Sequence, residues 1–211
     1  MERKLPFVLA ITGASGSIYG LRLLQYLLEM EQPVELLVSR GAKEVMATEM
    51  DLHFAADLKP ELLTFLSLPS SAPLVLHRVD DYGASVASGS YPTRGMAVVP
   101  CSLGTLGAIA AGLSESLIHR AAAVCLKEKR PLLVLLREMP FGQIQIKNML
   151  ALSEAGATVA CASPAFYHQP QSVSDMVDFV VGRTLDQFGF DHSLFKRWKE
   201  EVQPLNVPGK I

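Results

Sequence analysis

Hydrophobic and polar positions follow two alternating periods along the chain. Residues 5–11 form a continuous apolar run that stops at Thr12-Gly13-Ala14-Ser15-Gly16-Ser17. Beyond it, Ile18, Leu21, Leu24, Leu27 and Leu28 recur at helical spacing. A short apolar run, a glycine turn and a 3.6-residue period predict a buried strand, a tight turn and an amphipathic helix. The unit recurs: Val34–Val38 leads through Ser39-Arg40-Gly41 into a helix ending at Glu49, and a strand at 95–99 leads through Pro100-Cys101-Ser102-Leu103-Gly104-Thr105 into a helix at 103–112. Further helices are expected at 117–127, 143–156, 172–188 and 191–202, with strands at 132–136 and 158–162. The stretch 51–76, interrupted by Pro60, Pro69 and Pro73, predicts only a short helix at 60–66, followed by a strand at 74–78. Strands alternating with helices give a three-layer α/β/α, Rossmann-like (flavodoxin-like) domain with a mostly parallel sheet.

Composition narrows the partners. The 211 residues suit one domain, 1–211, with 202–211 as an extended tail. With 49% apolar and 19% charged residues a large core is available, and a net charge of −2 leaves no footprint for nucleic acid or an anionic membrane. No apolar run approaches the roughly 20 residues of a spanning helix. The basic start before residue 5 is followed by too short an apolar run for a leader, so a cytoplasmic protein is expected. Cys101, Cys125 and Cys161 are odd in number and widely spaced, and the five histidines form no ligand cluster, so neither a disulfide framework nor a metal is expected.

Candidate chemistry collects at strand ends. A glycine turn that opens a helix presents backbone N–H groups and a favourable dipole to an anion, and Ser15 and Ser17 add hydroxyls. After the second strand a dinucleotide fold would carry an acid for the ribose, whereas this chain carries Ser39 and Arg40, which favours a phosphate-terminated mononucleotide. The segment 84–91, ASVASGSY, is small enough to let another surface approach closely, and composition equally allows an ordinary loop. Arg137-Glu138 ends the strand at 132–136, and either a site or an ion pair at the sheet edge fits that position. Arg120 and Lys127, seven apart, share a helix face. The loop 163–170, SPAFYHQP, is a rigid aromatic segment suited to an apolar or π-bearing ligand.

Four stretches together, ITGASGSIYGLRLL, ASGSY, PCSLGTL with its following helices to REMP, and SPAFYHQPQ with DFVVGR, resemble the flavin prenyltransferases, the UbiX/Pad group of the flavoprotein decarboxylase-like superfamily. The resemblance runs from residue 5 to 189. It implies an enzyme that moves a dimethylallyl group from dimethylallyl monophosphate to N5 and C6 of reduced FMN, without a metal, and hands the prenylated FMN to a UbiD-type decarboxylase. It also implies a homododecamer with sites at protomer junctions. Carried over, Gly13, Ala14, Ser15 and Ser39 would hold the flavin, Ser102, Leu103, Gly104 and Thr105 would line its other side, and Arg137 would approach the flavin or its phosphate. Arg120, Lys127, Glu138, Tyr167 and Arg183 would grip the prenyl phosphate, Ser88, Gly89 and Ser90 would line the donor pocket, and Trp198 would wall the prenyl chain. Ser15 and Glu49 would handle protons around N5 and C6, with Glu138 and Lys127 acting on the leaving phosphate. Glu138, beside Arg137 and expected near Lys127, would have a pKa set by competition between cations and desolvation.

Two positions depart from the family pattern. Met139 stands where a threonine is common, and Tyr82-Gly83-Ala84 leaves the aromatic backing of the prenyl group to Tyr91 or Phe166. Two other readings compete: an FMN-dependent decarboxylase of cysteine-terminated substrates, which needs a histidine base in the first half of the chain, and a non-catalytic flavin carrier. His53 and His77 are the histidines there, each expected at the surface.

Overall fold

The structure is a computed structural model that describes residues 4–54 and 58–199. Six strands form one sheet: β1 (Phe7–Ile11), β2 (Val34–Val38), β3 (Leu74–His77), β4 (Gly95–Cys101), β5 (Leu132–Leu136) and β6 (Thr158–Cys161). All neighbours are parallel, in the order β3-β2-β1-β4-β5-β6. The four strands β1, β2, β4 and β5 are buried along their whole length, which explains why they read as unbroken apolar runs.

Six helices accompany the sheet: α1 (Ser17–Glu29), α2 (Arg40–Met50), α3 (Leu58–Phe65), α4 (Leu103–Ala110), α5 (Leu117–Lys127) and α6 (Gln143–Glu154). Alternate residues of β1 serve opposite faces. Val8 and Ala10 join Met96, Val98, Leu132, Val134, Leu106, Leu117, Ala121 and Leu152 in one core. On the other face α1 touches the sheet directly: a Cβ on Gly20 would lie 2.2 Å from the Val99 carbonyl and 3.0 Å from the Ile11 side chain.

The chain divides into two compact units after Cys161. The second carries α7 (Val173–Asp186), opened by a capping box between Ser172 and Asp175. The expected helix at 191–202 is not formed over 191–199, where the backbone is irregular, and its remainder lies outside the described residues, as does the tail at 202–211. The 84–91 segment holds one short 3-10 turn, Ser85–Ala87, with Val86 in the core. Among the described residues no helix is long and apolar enough to cross a membrane, and no group of histidine, cysteine or acidic side chains could hold a metal ion.

Candidate active site

The strand order reverses between β1 and β4, and the loops leaving their carboxyl ends diverge there into the crevice where such sheets take ligands. Thr12 ties the two loops together. Its buried hydroxyl donates to the Pro100 carbonyl at 2.8 Å and accepts from the Ser102 N–H at 2.7 Å. The Ser39 N–H donates to the Ile11 carbonyl at 3.0 Å, bringing the third loop alongside. Gly13 and Gly41 approach so closely that a Cβ on Gly13 would lie 3.0 Å from the Gly41 backbone.

Ser39 and Ser102 cap α2 and α4, accepting from the Ala42 N–H at 3.1 Å and the Thr105 N–H at 3.3 Å. Ser102 and Thr105 hydroxyls lie 3.0 Å apart. Arg137 reaches back across the crevice and donates through Nε to the Ser15 carbonyl at 3.1 Å. Gly13, Ser15, Ser39, Ser102, Thr105 and Arg137 are thus brought to one place, with Ala14 and Leu103 beside them. Around Gly104 a Cβ would meet nothing within 4 Å, which leaves open space at the start of α4.

The N–H groups at the start of α1 differ from expectation. They are not free: the Glu49 carboxylate accepts from the Gly16 N–H through both oxygens at 3.0 Å and from the Ser17 N–H at 3.3 Å. The reason is local. Gly16, with φ of 93°, is a cap without a side chain, and the first turn of α1 holds no acid. The end of α2 therefore supplies the anion that the dipole favours. Glu49 is held beside Ser15 in consequence. Ser17 Oγ is buried next to this cap and has no hydrogen-bond partner among the described residues.

Tyr19 escaped the sequence reading. Its ring lies 3.0 Å from a Cβ placed on Gly16, and burial raises its phenol pKa against the opposing pull of Arg137. The spacing from Gly16, one helical turn, was the available signal. Glu138 follows Arg137 at the same strand end, exposed, and accepts from the Met139 N–H at 3.1 Å. Met139 itself is 90% exposed.

A second set stands at the amino end of the sheet. Lys127 closes α5 just before β5, and its ammonium pairs with Glu128. Arg120 donates to the Ala87 carbonyl at 3.1 Å, and the Ser88 and Ser90 hydroxyls lie 2.9 Å apart. Gly89 packs over the Lys127 and Glu128 side chains, 2.8 Å and 2.3 Å from a Cβ built there. The expected neighbourhood of Lys127 and Glu138 is not found within one copy of the chain. They flank β5, whose five residues span about 16 Å at the strand rise.

The second unit carries the rest. Tyr167 packs edge-on against Trp198 and Phe179, with centroids 5.1 and 5.7 Å apart. Arg183 donates to Asp186 at 2.8 Å, and Asp186 also accepts from Arg197 at 2.9 and 2.8 Å and meets His192 at 3.1 Å. Arg197 foremost, and His192 with it, hold the Asp186 carboxyl below its usual range against the cost of burial.

Histidine and thiol chemistry find little here. His53 is exposed beside Asp51. His77 is not a surface residue as expected, because its ring is enclosed and pairs with the buried Glu35. Burial pushes the thiols of Cys101 and Cys125 up to about 12 and about 11. Both are protonated at neutral pH and unreactive.

The Flavoprotein family profile matches residues 1–185. A flavin prenyltransferase UbiX of Pseudomonas aeruginosa is 48% identical over 197 residues, covering 92% of this chain and 93% of its own. A UbiX (PadA1) solved with FMN and dimethylallyl pyrophosphate is 36% identical with a TM-score of 0.84, covering 94% of this chain and all of its own. A dodecameric FMN-dependent UbiX-like decarboxylase of Escherichia coli O157:H7 is 38% identical with a TM-score of 0.82, covering 93% of this chain and all of its own.

Proposed function

The chain belongs to the Flavoprotein family and within it to the flavin prenyltransferases, and from that premise we propose that it transfers a dimethylallyl group from dimethylallyl monophosphate to reduced FMN. The observation that carries the proposal is the split of the reactive side chains between the two ends of one parallel sheet. Hydroxyls, backbone and Arg137 at the carboxyl end suit a flat, phosphate-bearing acceptor. Cations at the amino end suit a departing phosphate.

Residues at the crevice fit FMN. Ser15, Ser39, Ser102 and Thr105 offer hydroxyls, Ser17 Oγ is a buried group lacking a partner among the described residues, and the space at Gly104 admits a ring. Gly13, Ala14, Ser15 and Ser39 would hold one side of the cofactor, Ser102 to Thr105 the other, with Arg137 across it. Reduced FMN supplies the nucleophilic N5 and C6 that take the five-carbon unit. Ser15, with Glu49 fixed on the Gly16 N–H, moves the proton displaced at that end.

On the donor side the allylic C–O bond breaks and the electron pair leaves with the phosphate. Arg120, Lys127 and Arg183 offset the charge that develops on it. Glu138, exposed and free to approach, delivers a proton to the leaving phosphate. The Ser88–Gly89–Ser90 segment lines the prenyl chain; the second unit contributes Tyr167 as a phosphate ligand and Trp198 as an apolar wall that keeps water from the cationic carbon.

Because Glu138 and Lys127 flank β5, one complete site takes the carboxyl end of one copy and the amino end of another. The chain offers a surface for such assembly: Ile144, Ile146 and Leu150 of α6 are 71%, 54% and 58% exposed. We read the assembly as a homododecamer, the state named for the Escherichia coli relative. The product passes to a UbiD-type decarboxylase in the cytoplasm, a compartment in keeping with cysteines that are all free.

The test is anaerobic incubation of the protein with reduced FMN and dimethylallyl monophosphate, followed by mass spectrometry of the released flavin. A flavin heavier by one five-carbon unit is expected. Unchanged FMN from a folded, flavin-loaded protein, with the monophosphate and the diphosphate alike, would overturn the proposal.

A further inference from the structure

Glu35 is a carboxylate in the middle of a sheet, and the chemistry above makes no use of it. It sits on β2, its side chain only 7% exposed, between β1 and β3. One oxygen pairs with the His77 ring from β3, and the other accepts from the Tyr91 hydroxyl at 2.6 Å. Burial raises its pKa, but the His77 and Tyr91 hydrogen bonds outweigh that cost and the net shift is downward. A buried carboxylate is expensive to keep unless every partner is in place, so such a network fixes whatever it is bonded to.

What it is bonded to is the end of the 87–91 loop. The same loop is held from its other side by Arg130, whose guanidinium forks onto the Gly89 carbonyl at 2.6 Å and the Tyr91 carbonyl at 2.8 Å. Arg120 takes the Ala87 carbonyl at the loop's start. Between these anchors lie Ser88, Gly89 and Ser90, with Gly89 seated on Lys127. Three side chains distant in sequence, Glu35, Arg130 and Arg120, thus restrain these five residues.

We propose that Glu35, acting through Tyr91, and Arg130 are positioning residues for the prenyl donor: together they hold the 87–91 loop in the shape that lines the donor pocket beside Lys127. Tyr91 is thereby a tether rather than an aromatic wall. The inference rests on the prenyltransferase reading.

Three variants test it. Tyr91→Phe removes one hydroxyl and keeps the ring. Glu35→Gln keeps an oxygen for the Tyr91 hydroxyl. Arg130→Lys keeps the charge but places a single ammonium where a fork spans two carbonyls. Steady-state transfer, FMN affinity and amide hydrogen exchange are measured on each oligomer. Tyr91→Phe and Arg130→Lys are expected to raise the KM for dimethylallyl monophosphate about tenfold, to speed exchange at the 87–91 amides, and to leave FMN affinity unchanged. Glu35→Gln is expected to lie between them and the wild type. Unchanged donor KM in both variants of a transferring enzyme would overturn the inference alone, as would donor and FMN affinities that fall together. A wild-type chain that transfers nothing would overturn the functional reading and this inference with it.

Discussion

Glu138 and Glu49 are both exposed carboxylates, and the proposed mechanism gives them different work in keeping with their different surroundings. Glu49 is spoken for by two backbone N–H groups, while among the described residues Glu138 takes its hydrogen bond from the N–H of the next residue. A group with a single local bond can turn toward a substrate and exchange a proton with it. Glu138→Gln is therefore expected to keep FMN affinity while lowering kcat at least about a hundredfold, read by flavin-binding titration and single-turnover transfer. Asp186 bears on stability instead. Its carboxyl is held below the usual aspartate range by Arg197 first and by His192, against the cost of burial, so its contribution is present above that range and is lost as pH falls through the lowered value. Urea unfolding of the wild type between pH 7 and 3 should show that loss, and Asp186→Asn should be less stable at pH 7 with a flatter profile. At this scale the sequence exposed only groups that lie close together along the chain. Ser39 and Ser102 were legible because each directly follows a strand. Glu35, Tyr91 and Arg130 were not, since their contacts join residues 39 to 56 positions apart and depend on strand order.

Helix α1 shows how an element reaches the site. It enters on Gly16 with a left-handed backbone, takes its cap from Glu49, and lies against β4 at Gly20. A methyl at Gly20 would meet the Val99 carbonyl at 2.2 Å, and that carbonyl belongs to backbone that cannot turn aside. Gly20→Ala is expected to cost about 1–3 kcal/mol through overpacking, measured by denaturant unfolding, and to weaken FMN binding because α1 carries the crevice loop with it. Strong periodicity made the buried strands, α1 and α5 readable to within a residue or two. The sequence predicts a helix over 191–202, but over the described part, 191–199, Asp186 draws Arg197 and His192 onto the end of α7 and the segment folds around those bonds instead. The partial match over 58–77 has a simpler cause: α3 and β3 are short, and three prolines obscure their ends.

The proposed reaction asks for an assembly of copies. Strand β5 separates Lys127 from Glu138 by about 16 Å, whereas a departing phosphate must meet cation and acid within hydrogen-bond reach. Two copies solve what one cannot, if the carboxyl end of one sheet faces the amino end of its neighbour. Sharing of that kind predicts complementation. Lys127→Ala damages only the amino end of a copy, and Glu138→Gln only the carboxyl end. Each variant alone is expected to be inactive. When the two are unfolded, mixed in equal amounts and reassembled, about one junction in four joins two intact ends in a random oligomer. Transfer activity near a quarter of the wild type is then the expected outcome. Activity no higher than that of either parent, from mixed oligomers of full size, would mean that Lys127 and Glu138 serve one copy and that the chain must rearrange to bring them together.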